Sequence, residues 1–132
     1  MSHELALQKA LIAHLKAGSA VQALIGDRIW DVAPSSPGYP HLLIGRSESR
    51  PVAADGGGVE HLLTLTIVSG FQGGEEAKAA MAAVRLRLTD ARLEADGVQT
   101  VSLGVRFTDV WRSPTGPRTY AVLRVRAVTE EI

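Results

Sequence analysis

The segment VEHLLTLTIVS, residues 59–69, carries the clearest structural pattern in this 132-residue chain. Leu63, Leu65 and Ile67 alternate with threonines, which gives a period of two rich in β-branched residues. Such alternation is typical of a strand that buries one face and leaves the other open. We therefore predict a strand over 59–69.

A helix is predicted directly after this strand, over residues 75–88. Glycines at 70, 73 and 74 end the strand, and Glu75 and Glu76 place acidic side chains in the first helical turn, where the helix dipole favours them. Apolar residues then recur at helical spacing: Ala77, Ala80, Met81, Val84 and Leu88. We expect this stripe to pack on the sheet.

Two further strands, 98–111 and 119–128, are predicted to form a hairpin through the turn 112–118. Alternation predicts two apolar faces that pack under the helices, made of Val101, Leu103, Val105 and Phe107 in the first strand and Ala121, Leu123, Val125 and Ala127 in the second. The opposite face carries Arg106, Arg124 and Arg126. We predict that this face meets either solvent or a neighbouring subunit.

Upstream, residues 4–17 form an amphipathic pattern that predicts a helix ended by Gly18. A short segment, 20–25, follows with Ser19 as its expected N-cap and Gly26 as its terminator. Residues 29–32 and 41–49 are predicted to be extended, with a proline-rich loop between them. Trp30 and Trp111 lie at predicted strand ends, where a large ring can cover the core or contact a partner, and we predict that each covers the core.

A second loop is predicted over residues 50–58, because it combines proline with the run Asp55-Gly56-Gly57-Gly58. Together these elements predict a single α+β domain, residues 1–132, with a mostly antiparallel sheet packed on one face by two main helices.

Composition excludes several classes of protein. The chain is 45% hydrophobic and 21% charged, as expected for a globular domain, and no apolar run is long enough to span a bilayer. It has no cysteine, and its fourteen basic and fourteen acidic residues cancel, which disfavours binding to nucleic acid through phosphates. Without a secretory pattern at the N-terminus, we expect a cytoplasmic location before any assembly.

Motifs for catalysis are not recognisable. The histidines His3, His14, His41 and His61 lack metal-binding spacing, and no serine lies in a GxSxG motif. An enzyme would require the fold to bring His41 or His61 together with carboxylates such as Glu60 or Asp109. We predict that the protein is not an enzyme and has no cofactor or metal.

Short landmarks along nearly the whole chain resemble the tail terminator, or tail completion, family of long-tailed phages, prophages and gene transfer agents. They are residues 7–11 (LQKAL), 25–31 (IGDRIWD), 39–45 (YPHLLIG), 60–65 (EHLLTL), 74–78 (GEEAK) and 107–112 (FTDVWR). The resemblance implies a hexameric ring on the head-proximal end of the tail tube. Such a ring stops tube polymerisation, meets the head connector and lets DNA pass through its lumen.

Contacts with tube or connector are expected from two loops and from the arginine face. The candidate residues are Arg50, Asp55, Gly56, Gly57 and Gly58 in the first loop, Arg112, Ser113, Thr115 and Arg118 in the hairpin turn, and Arg106, Arg124 and Arg126 on the face. Two alternatives remain open: a head–tail joining (neck) protein, and a small dimeric ligand-binding domain that uses the arginine face as its pocket floor.

Overall fold

The computed structural model describes residues 2–52 and 57–132, which form three helices and one sheet of six strands. The elements are α1 (His3–Ala17), α2 (Ser19–Leu24), β1 (Ile29–Trp30), β2 (His41–Pro51), β3 (Val59–Ser69), α3 (Glu75–Leu88), β4 (Glu94–Ala95), β5 (Val98–Arg112) and β6 (Thr119–Glu131). The strand order is β1-β2-β3-β6-β5-β4, and only the β1–β2 pair is parallel. The predicted α+β class with a mostly antiparallel sheet is confirmed.

Strand β3 has the predicted bounds and lies at the centre of the sheet between β2 and β6. Its buried side chains Leu63, Leu65 and Ile67 face the helices, which contribute buried residues such as Leu11 and Val84. Burying an aliphatic side chain of this size stabilises the fold by roughly 1.5–3 kcal/mol. The alternation in the sequence therefore corresponds to one face of the sheet, which packs under α1 and α3.

The prediction that one apolar face of each hairpin strand packs under the helices is confirmed for β6 and partly wrong for β5. Alternate residues of β6, from Ala121 to Ala127, have no exposed surface. In β5, by contrast, Val101 and Phe107 are 52% and 57% exposed and do not pack under the helices. Register shifts between Thr100 and Ser102 and between Val105 and Phe107 each insert one residue, so the alternation of side chains reverses twice.

Two boundaries in the N-terminal half also differ from the prediction. The first strand stops at Trp30, not at residue 32. Ser19 is the first residue of α2, and its expected cap position is taken by Gly18, without a side-chain hydrogen bond. Gly26 ends this segment with φ +63°, as predicted.

The predicted loop over residues 50–58 is shorter than expected. Arg50 and Pro51 belong to β2, where they pair with Glu60 and Val59 of β3. The backbone N–H of Val52 then donates to the carbonyl of Gly58 at 2.9 Å. Of the candidate contact residues in this loop, Asp55 and Gly56 lie outside the described residues.

Within residues 2–52 and 57–132, no helix is long and apolar enough to cross a membrane.

Candidate protein-interaction surfaces

One surface of interest lies on the open face, which is the side of the sheet turned away from the helices. Strand register places Leu62 of β3 beside Arg126 of β6, and Phe107 of β5 beside Arg124. These side chains surround a shallow depression of about 480 Å³. We call its lining the arginine patch: Arg50, Glu60, Leu62, Arg106, Phe107, Arg124 and Arg126.

A carboxylate inside the arginine patch bridges two arginines from neighbouring strands. Glu60 accepts from Arg50 Nε at 2.6 Å and from Arg126 Nε at 2.7 Å. These two hydrogen bonds, led by the one from Arg126, lower the pKa of Glu60, so the group stays ionised at neutral pH. With four arginines and one ionised glutamate, the patch carries a net charge of +3 (4 − 1).

The remaining two arginines of the patch have unused donors. Among the described residues, neither Arg106 nor Arg124 forms an ion pair. The Nε atom of Arg124 is buried and has no hydrogen-bond partner there. Leu62 and Phe107 form an apolar floor beside these two arginines, and Phe107 is 57% exposed. Guanidinium groups next to exposed apolar surface are typical of protein contacts.

A second surface lies at the end of the sheet where β6 begins. All tryptophans and tyrosines of the chain lie there, with Phe71, and we call this surface the aromatic end: Trp30, Tyr39, Phe71, Trp111 and Tyr120. Trp111 stacks on Tyr120 with ring centroids 5.6 Å apart. Trp111 is 41% exposed, so the prediction that it covers the core is wrong. Phe71 is 63% exposed.

The hairpin turn contacts the aromatic end. The Arg118 guanidinium lies 4.4 Å from the centre of the Tyr39 ring, a cation–π contact. The Thr119 hydroxyl donates to the carbonyl of Phe71 at 2.8 Å, which holds the loop after β3. Within the turn, Ser113 N–H donates to the Arg118 carbonyl, and Arg112 and Thr115 are exposed. Of the predicted contact residues of the turn, Arg118 thus lies against the aromatic end, and Arg112 and Thr115 are open to solvent.

The structure brings some predicted contact residues together and separates others. Arg50 joins Arg106, Arg124 and Arg126 in the arginine patch. The loop that ends at Gly58 and the hairpin turn lie at opposite ends of the eleven-residue strand β3. Sequence reasoning missed Tyr39 and Phe71, since a single aromatic residue in a loop gives no periodic signal.

The histidines have structural partners. His61 is fully buried, and its Nε2 lies 2.8 Å from the Thr129 hydroxyl, while the neighbouring Glu60 points to the open face. Desolvation lowers the pKa of His61. His61 and Glu60 therefore point to opposite faces of the sheet and do not form a catalytic pair.

His14 and His41 also have hydrogen-bond partners. His14 is half-buried, and its Nε2 lies 2.9 Å from the carbonyl of Arg87, while His41 Nδ1 lies 2.9 Å from the carbonyl of Gly38. Across the part of the chain that the structure describes, no group of three or more His, Asp or Glu side chains is arranged to hold a metal ion.

Comparison with known proteins gives matches that cover nearly the whole chain. The family model of tail completion protein gp17 matches residues 9–130. A chain of the virion of a native gene transfer agent (GTA) particle is 26% identical, with 98% of this chain and 99% of that chain aligned at a TM-score of 0.87.

A further solved structure, 14% identical, aligns over 100% of this chain and 96% of its own at a TM-score of 0.56, and it supports the fold alone. No curated protein sequence matches the chain. Because the family model matches residues 9–130, which are most of the 132-residue chain, the chain belongs to the tail completion protein gp17 family.

Proposed function

We propose that this protein is a structural subunit of a phage-like tail, which assembles as a hexameric ring on the head-proximal end of the tail tube. The observation that carries this proposal is the match to a chain of a gene transfer agent virion over 98% of this chain and 99% of that one. Together with the match to the tail completion family, this similarity supports a role for the fold in a phage-like particle.

A ring of this kind ends tube polymerisation through geometry alone. A heterologous interface repeated around a closed ring gives two different ring faces, of which one matches the tube and the other does not. The proposed role requires contact surfaces and no catalysis. Both the arginine patch and the aromatic end supply such surfaces, in agreement with a subunit that meets its own copies, tube protein and the head connector.

The test is light scattering after size exclusion over a series of concentrations, for the protein alone, with purified tail-tube protein and with purified connector protein. Negative-stain images of any large species complete it. We expect six-fold rings, alone or on the ends of tubes. A protein that binds the connector and ignores tube protein would favour the neck alternative. A strict monomer or dimer that ignores both would overturn the proposal and favour the ligand-binding alternative.

A further inference from the structure

Two strands on opposite sides of the sheet have outer edges that other strands cover only briefly. β1 pairs with only the second and third residues of β2, and β4 pairs with only the first two residues of β5. Beyond these short pairings, two segments have no outer neighbour strand among the described residues. We call them the β2 edge, residues 47–51, and the β5 edge, residues 107–112. Each begins just after a bulge and has a regular register itself.

The β2 edge presents unused backbone hydrogen-bonding groups. Backbone groups of an antiparallel strand point alternately to its two sides. The N–H of Val52 donates to the Gly58 carbonyl on the β3 side, so the groups of Ser47, Ser49 and Pro51 point outward. In the described part of the chain, neither serine N–H has a partner. Pro51 has no N–H, which suits an outward position on an edge strand.

The β5 edge has the same arrangement on the other side of the sheet. The N–H of Ser113 donates to the Arg118 carbonyl on the β6 side, so the backbone groups of Thr108, Val110 and Arg112 point outward. These three N–H groups also lack a partner within the described residues. Open strand edges of this kind are sites at which another strand adds to a sheet.

The two edges match each other in direction and in the face of their side chains. The four long strands β2, β3, β6 and β5 alternate in direction, so the β2 edge and the β5 edge run antiparallel. Ser49 pairs with the buried His61 and Val110 with the buried Ala121, so both outward residues have side chains on the helix side. Two copies joined through these edges therefore keep their helices on the same face.

We infer that the β5 edge of one copy of this chain pairs with the β2 edge of the next copy, with Val110 opposite Ser49. This inference rests on the proposed ring and assigns the contact that closes it. The register also places Arg112 opposite Ser47 and Thr108 opposite Pro51, so every outward N–H gains a carbonyl. Each copy meets one neighbour through each edge, which is the heterologous arrangement that a ring needs.

Charge on the open face favours the same register. It places Arg50 directly opposite Asp109, and both residues are exposed. Asp109 forms no ion pair among the described residues, and Glu60 accepts only from the Nε of Arg50. Opposite charges that face each other across two strands are stabilising. A slip of two residues one way opposes Asp109 to Glu48, and a slip the other way moves Asp109 beyond the β2 edge.

The positions of the two edges along the strands are compatible with a closed ring. Ser49 is level with Leu103 of β5 through His61 and Ala127, whereas Val110 is level with Ala121, six residues before Ala127 on β6. Six residues correspond to about 20 Å along the strands, and four strands to about 19 Å across them, so a level ring has strands inclined by about 45°. Strands of closed barrels are typically inclined by roughly 35–45°.

Cysteine pairs test the register, because the chain has no cysteine of its own. Ser49→Cys/Val110→Cys places the two Cα atoms about 5.5 Å apart, within the range of a disulfide. We expect oxidation in the presence of tail-tube protein to link copies into a series of oligomers, up to a hexamer on a non-reducing gel. In the matched control Ser49→Cys/Thr108→Cys the Cα atoms are about 8 Å apart, and cross-linking should be at least about tenfold lower.

Charge exchange tests the ion pair by light scattering. Arg50→Asp and Asp109→Arg each oppose like charges, so we expect self-association at least about fivefold weaker than wild type, and the double variant should regain it. Arg85→Glu, on an exposed position of α3, is the control and should assemble normally. Circular dichroism and thermal melts establish that every variant folds.

The outcomes separate this inference from the proposed function. If six-fold rings form and Ser49→Cys/Val110→Cys does not cross-link, the inference is wrong and the proposed ring stands. Preferential cross-linking of the control pair, or a double variant that does not regain assembly, likewise rejects the assigned register. Cross-linked open chains without rings would retain the contact and remove the ring. Neither oligomers nor cross-links, with or without tube protein, would overturn both.

Discussion

The hydroxyl of Thr129 lies between two histidine rings and determines the tautomers of both. It is 2.8 Å from His61 Nε2 and 2.8 Å from His3 Nδ1. His61 Nδ1 is buried without a hydrogen-bond partner in the described part of the chain. A lone pair is cheaper to leave unpaired there than an N–H, so we assign the proton of His61 to Nε2. Thr129 then accepts from His61 and donates to His3, which ties the start of α1 to the sheet.

Stability should fall below neutral pH because His61 is held uncharged. Burial depresses its pKa below the ordinary value of 6.5, so between these two values the unfolded chain binds a proton more readily than the folded one. The free energy of unfolding should therefore decrease as pH falls below about 6.5 and should be level above about 7. Urea denaturation at pH values between 5 and 8 measures this free energy of unfolding.

His61→Gln removes the titrating ring and should flatten this decrease. His14→Gln is the matched control and should retain it, since His14 is only half-buried. An unchanged profile in His61→Gln would mean that another group carries the pH dependence.

Replacing Thr129 by valine should destabilise the protein although the side-chain volume hardly changes. The substitution leaves the buried His61 Nε2–H without an acceptor, at a cost of about 1–3 kcal/mol. Thr64→Val, half-buried on the open face of β3, is the control and should cost little. Equal losses in the two variants, measured by chemical denaturation, would rule out a special role for the shared hydroxyl.

At the scale of elements, the sequence predicts a strand well where nothing interrupts its alternation. β3 and α3 have the predicted bounds, because each carries an unbroken period on one buried face. β5 differs because two bulges reverse its alternation, and Val101 and Phe107 turn outward. Bulges depend on the pairing of two strands, so the pattern of a single strand does not encode their position.

The same limit applies to the candidate surfaces. That Arg106, Arg124 and Arg126 share the open face was predictable, since the last two are two residues apart on one strand. That Arg50 and Glu60 join these arginines was not predictable, because their position depends on the register of β2 with β3. The aromatic end combines loops that are distant in sequence and meet only in the folded chain.

The two faces of β6 should respond very differently to truncation. Leu123 is fully buried under the helices, and Leu123→Ala should cost about 2–5 kcal/mol through lost contacts and a residual cavity. Val122, its neighbour, is half-buried on the open face. Val122→Ala should cost clearly less in the same denaturation experiment. Comparable losses would mean that the open face packs against something in the free protein.

For the whole molecule, the position of the aromatic end constrains how a ring could meet its partners. The aromatic end lies where β3 ends and β6 begins, and the loop that ends at Gly58 lies at the opposite end of β3. In the proposed ring, the aromatic end is therefore a candidate surface for contact with tube or connector. A surface rich in exposed Trp, Tyr and Phe, already fixed by stacking and by Arg118, is suited to bind a second protein at low entropic cost.

We expect Trp111→Ala and Phe71→Ala each to weaken binding of the protein to either tube protein or connector by at least about tenfold. Thermal stability should change little, because both side chains are largely outside the core. Leu86→Ala, 73% exposed on α3, is the control and should bind normally. Binding of each variant to purified tube protein and to purified connector, measured by interferometry, identifies the component. Loss with tube alone places the aromatic end against the tube, loss with connector alone places it toward the head, and no loss with either would remove it from the assembly surfaces.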